Sequence, residues 1–201
     1  DSTAGNVDVD NALGTAVTVT TLTTGNGGTI LFEQYGGGSV SFGTVSTTPD
    51  GTPAAGEDNI TLRNTGGDLT VTTSVTAGGL GDILLNTVTS GNIILTGTTT
   101  AAGDDVTVTS VGSINGAGLV TAATIDLNAA TGIGNTTALE LAGTTLTIDN
   151  STAGNVNVDN SLATAVTVTT LTTAGGGTIL FEQDGGGSVS FGTVSTTPDG
   201  T

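Results

Sequence analysis

The chain contains no cysteine, histidine, methionine or tryptophan, and its one Lys or Arg, Arg63, stands against 18 Asp and Glu. Each absence removes a class of chemistry. Without His or Cys there is no imidazole base, no thiolate nucleophile and no conventional zinc or iron–sulfur ligand set. Arg63 alone could clamp an anionic substrate, so neither catalysis nor a cofactor is expected. A net charge of −17 repels phosphate backbones and anionic headgroups, whose capture depends on several cations releasing counterions. Nucleic acid is therefore not an expected partner. No apolar run approaches the roughly 20 residues that span a bilayer, and membrane insertion is not expected either. The lack of cysteine leaves the redox compartment open.

Aromatic residues are almost as scarce, at four Phe and one Tyr in 201 residues. Such a chain lacks the bulk for a thick globular core, and its apolar residues must be spread along a thin, elongated one. It should nevertheless fold. Charged residues are 9% and hydrophobic residues 35% of the sequence, and Val, Ile and Leu alternate with Thr, Ser and Asn as in half-buried strands. The abundance of Thr, Val and Gly argues against helix throughout.

Two periods organise the sequence. Residues 2–52 recur at 151–201 with six differences, an offset of 149 residues. Residues 1–149 thus form one long repeat, and 150–201 begin a second, near-identical one, as in a window on a tandem array. Within the repeat, strand starts recur with a 23-residue period, from Val7 to Ile30, Val17 to Val40, Ile60 to Ile83 and Ile83 to Val106. Each coil carries two main strands about ten residues apart, which predicts an all-β parallel β-solenoid. Asx residues before the strands, among them Asn6, Asn59, Asp82 and Asp105, suit turns whose amides need short side-chain acceptors.

The period breaks twice. The step from Ile30 to Ile60 is longer than the common one, and the excess falls in residues 47–57, read as a protruding turn. The stretch from Val106 to Val156 is expected to form two coils of unequal shape. One long repeat would then make about six coils, roughly 29 Å of fibre at ~4.8 Å per coil, and the protruding turn would leave the fibre on one side once per repeat.

The segments Gly81-Asp82-Ile83-Leu84-Leu85-Asn86, Gly91-Asn92-Ile93-Ile94-Leu95-Thr96-Gly97 and Ile125-Asp126-Leu127-Asn128 resemble the repeats of filamentous-haemagglutinin-like exoproteins of bacteria. The resemblance implies a right-handed parallel β-helix, a secreted or cell-surface location and a role as an adhesin. It implies no functional residue in this chain.

Candidate sites are few. Asp10, Glu33 and Arg63 should fall in one outward column, which reads first as a charge ladder. Asp10 with Glu33, and Asp159 with Glu182, are also the weak candidates for calcium, which takes several oxygen ligands. Gly78-Gly79-Leu80-Gly81-Asp82 misses the calcium-solenoid pattern GGxGxD by one position. Paired carboxylates also suggest glycosidases, but the aromatic and basic groups that hold a sugar are missing. Outward Thr pairs such as Thr18/Thr20 suggest ice-binding arrays, yet Thr is also the ordinary solvent-face strand residue. The turn, with Pro49, Asp50, Gly51, Pro53 and Glu57, is the candidate for partner contact. The functional expectation is a non-catalytic extracellular or cell-surface fibre whose main partner is itself, with receptor or glycan adhesion as the alternative.

Overall fold

The alternation of apolar with Thr, Asp and Asn residues produces short strands such as Ile30–Gln34, Ile60–Asn64 and Ile83–Thr87, in which every second side chain is buried. The computed structural model describes residues 1–52 and 54–200, and among these there are strands and turns but no helix. All strand pairs are parallel and in stacked register, so the chain is a β-solenoid.

Three ladders run along the stack. The first links Val7, Ile30, Ile60, Ile83, Val106, Ile125, Leu146, Val168 and Phe191. The second links Val17, Val40, Leu69, Ile93, Ile114, Ile133, Val156 and Ile179. The third links Leu22, Val45, Val75, Thr99, Val120, Leu141, Asn160 and Gln183. Nine levels on the first ladder make eight turns. Val9, Phe32, Leu62, Leu85 and Val108 form one inward column beside the first, as the 23-residue period predicts. On the first ladder the longest turn is the one from Ile30 to Ile60, which contains the protruding segment. The turns from Val106 to Ile125 and from Ile125 to Leu146 are shorter than the common period.

The two shortened turns have a consequence that the period does not announce. Six turns carry Val7 to Leu146, and Val156 lies ten residues further on, the step that also separates Val7 from Val17. Val156, the counterpart of Val7, therefore stacks on Ile133 in the second ladder. Likewise Val168, the counterpart of Val19, stacks on Leu146 in the first. The long repeat is thus not a whole number of turns, and the strands of its second copy change ladders, that of Val7 from the first to the second and that of Val19 from the second to the first. The expectation that the protruding turn recurs on one side of the fibre is corrected: Thr47, after which it leaves, stacks on Thr24 next to the third ladder, whereas the counterpart Thr196 stacks above Thr173 and Asn150 beside the first. The fold tolerates the change because the first and second ladders accept the same apolar-x-apolar pattern.

Packing between levels supplies the stability, since the buried side chains of each turn stack on those of the turns to either side. Phe32 and Phe42 meet edge to face at 5.1 Å, and Phe181 and Phe191 repeat the contact at 5.4 Å although both have moved to other ladders. Phe42, covered by the next level at Val71, is 0% exposed, whereas Phe191 is 49% exposed. Buried asparagines tie the turns: Asn64 Nδ2 donates to the carbonyls of Gly67 at 3.0 Å and Asp68 at 2.9 Å, and Asn150 Nδ2 to Ala153 and Gly154, both at 2.9 Å. At Gly91, with φ 108°, a Cβ would lie 1.9 Å from the Gly67 carbonyl oxygen, so only glycine allows successive turns to stack there.

Candidate functional site

The Asx residues ahead of the strands form a staircase. Asn6 accepts the Thr29 N–H at 3.0 Å, Asn59 that of Asp82 at 2.8 Å, Asp82 that of Asp105 at 3.4 Å and Asn155 that of Thr178 at 3.0 Å. Each acceptor serves an amide one turn away, which explains the column of Asn59, Asp82 and Asp105. At the upper end of this staircase Asp82, Asp104 and Asp105 bring ligand oxygens within 4.8 Å of one another. They are exposed or half-exposed, and Asp82 and Asp105 border a shallow groove with Asn59, Thr61 and Thr107. Partial burial, followed by the Asp104 charge, pushes the Asp82 carboxyl up from its usual range.

The predicted calcium candidates lie elsewhere. Asp10 faces Glu33 one turn on, and Glu33 faces Arg63, whose Nη1 is 3.1 Å from Glu33 Oε1. This pair is exposed to solvent, and such pairs contribute about 0–1 kcal/mol. Asp159 faces Glu182 on one side and Glu140 on the other. Burial, then the charges of Asp184, Glu140 and Glu182, raises the Asp159 pKa. Among the described residues, the one trio of carboxylates with oxygens this close is the Asp82 group, and neither predicted pair belongs to it.

The protruding turn leaves the stack after Thr47 and rejoins it at Ile60. Pro49, Asp50 and Gly51 are exposed and Glu57 is half-buried, while Pro53 lies outside the described residues. Asp50 Oδ1 accepts the Thr52 N–H and hydroxyl, both at 2.8 Å, which stiffens the tip and holds the Asp50 carboxyl below its usual range. Sequence reading ended this turn at Glu57 and passed over Asp58, which the structure buries at its base. Its signal was positional: Asp58 stands two residues before a strand start, where Gly5, Gly28, Gly81, Gly154 and Gly177 stand in other turns.

Burial is the leading cause of a raised pKa at Asp58, Asp82 and Asp159 alike. A carboxyl whose folded pKa exceeds its unfolded value contributes stability that is full below the unfolded pKa and is lost as pH rises through the folded one. With an ordinary value of 3.8 for each, the chain is expected to melt at a higher temperature near pH 4 than at pH 7. Asp50, with its lowered pKa, opposes this from an exposed position. Thermal melts at pH 7, 5 and 4 in a chelating buffer check the sign, and a melting temperature that falls steadily on acidification contradicts it.

Comparison of the chain with known protein families, with characterised proteins and with solved structures found no match.

Proposed function

We propose that this chain is a non-catalytic structural element of an extracellular or cell-surface fibre, built by tandem repetition of the same solenoid and having further copies of itself as its main partner. The carrying observation is that one block of sequence, residues 2–51 and 151–200, occupies two heights and different ladders of one uninterrupted stack. A fold whose blocks stack at any height and on any ladder lengthens by repetition without redesign. The lack of His and Cys and the single cation support the non-catalytic part, and the likeness of its segments to filamentous-haemagglutinin-like exoproteins supports the surface location.

Chains carrying one, two and three copies of the 149-residue repeat test the proposal by electron microscopy. Rods should lengthen by about 30 Å per copy, from a little over six turns at ~4.8 Å each. Copies that fold as separate beads, or rods whose length does not grow, would sink it. The exposed tip of residues 48–52 favours a second reading, adhesion to a receptor or glycan through this turn. In that case removing the turn abolishes attachment while the rods remain intact.

A further inference from the structure

Asp58 is 1% exposed, and neither of its carboxyl oxygens has a hydrogen-bond partner. It stands where the protruding turn rejoins the stack, and Thr47, from the other end of the turn, makes the joint. The Thr47 hydroxyl, itself buried, donates to the Asp58 carbonyl at 2.7 Å and accepts the Gly78 N–H at 3.0 Å. Both ends of the turn and the next level thus meet at one side chain. The Asp58 N–H adds a long bond, 3.5 Å, to the Gly27 carbonyl. The Asp58 carboxyl lies against Gly79, where Oδ2 is 2.8 Å from the place a Cβ would occupy, next to the ring of Pro49.

In this setting the neutral acid forfeits one hydrogen bond, whereas the anion forfeits its hydration with nothing in exchange. No neighbouring element offsets the charge. The turn before presents Gly27 and Gly28, and the turn after presents Gly78, Gly79 and Gly81, none of which titrates. Asp82, which follows them, is exposed and grouped with Asp104 and Asp105. On its own turn Glu57 and Asp50 add charge of the same sign. The one basic side chain of the protein, Arg63, is engaged with Glu33.

We propose that Asp58 is a proton-operated latch of the protruding turn: protonated, it seats between the levels and closes the turn on the stack, and ionised, it leaves for water and frees the segment between Thr47 and Ile60. The way out is short, because residues 54–56 beside it are already exposed. In the open turn the carboxyl regains its ordinary value of 3.8. Closing is therefore complete below that pH and weakens as pH rises through the higher value of the closed state. Beyond it each further pH unit multiplies the open population about tenfold. The thermal melts described above register the sum of all raised carboxyls, whereas the latch is a local opening of one turn in a chain that stays folded.

The test is amide hydrogen exchange, followed by NMR from pH 4 to pH 7 and corrected for the intrinsic rate at each pH. The Asp58 and Gly78 amides should lose protection at least tenfold between pH 5 and pH 7, while those of Leu62 and Leu85, inside the flanking strands, do not follow. Asp58→Asn is neutral at every pH and suits the left-handed backbone, φ 58°; in it the Gly78 amide should stay protected at pH 7. If that variant does not fold, Asp58→Gly, the residue other turns use at this level, should abolish the pH response of Gly78 in its place. Asp50→Asn with Glu57→Gln should keep the response. Equal protection of Asp58 and Gly78 at pH 4 and pH 7 overturns the proposal, as does a response that survives either Asp58 variant. A response lost in the Asp50/Glu57 variant also overturns it and assigns the titration to the outer carboxylates.

Discussion

Phe42→Ala is expected to destabilise the chain by about 3–5 kcal/mol, while Phe191→Ala, at the same place in an identical strand sequence, is expected to cost no more than about 1 kcal/mol. Val40–Thr47 and Val189–Thr196 both read VSFGTVST, so propensity and local contacts are matched. Coverage differs. Phe42 is sealed between levels, with Val19 on one side and Val71 on the other, and meets Phe32 edge to face at 5.1 Å. Phe191 stacks on Val168 and keeps its edge contact to Phe181, but it is 49% exposed. Denaturant unfolding of the two variants in the chain of residues 1–201 measures the difference. Equal losses would mean that the Phe191 level is covered in solution, for example by a second molecule.

The stacking phase of the second copy gives a sharper outcome. Thr147 and Thr170 are paired on adjacent turns with outward side chains. Neighbouring parallel strands run ~4.8 Å apart, inside the span a disulfide bridges. Because the chain has no cysteine, Thr147→Cys with Thr170→Cys should cross-link nearly completely under mild oxidation, with no background. Thr147→Cys with Asn157→Cys should stay reduced. A repeat of whole turns would place Val156 on Leu146 and Asn157 beside Thr147, and the two results would exchange. Gel mobility without reductant separates the cases.

The fold was legible because a solenoid writes its geometry into spacing. The constant interval between Ile60, Ile83 and Val106 fixed which side chains stack, and Glu33 duly meets Arg63 across one turn. The phase was not legible. Between Val106 and Leu146 two successive turns contract, the first closing on Ile125, and nothing in an apolar-x-apolar motif tells one ladder from another. Val156 and Val7 look alike in sequence and differ only in what lies beneath them. The candidate site was hidden for a related reason. Asp10, Glu33, Asp159 and Glu182 were visible as acidic residues in register, but register alone gives pairs. The closest carboxylate trio needed Asp104, which adjoins Asp105 in the chain, to meet Asp82 from the turn before. Asp58 was hidden more deeply, since its burial depends on the path of the turn above it, and composition marks that segment as solvent-facing.

The change of ladder between copies also bears on how such rods would lie side by side. The second copy presents the features of the first in a different direction. Two parallel rods therefore cannot match like edge to like edge over more than one repeat, and an attractive strip on one copy turns away before it can become a seam. Acidic, screw-phased filaments of this kind should remain dispersed as single threads where rods of whole-turn repeats would zip into sheets.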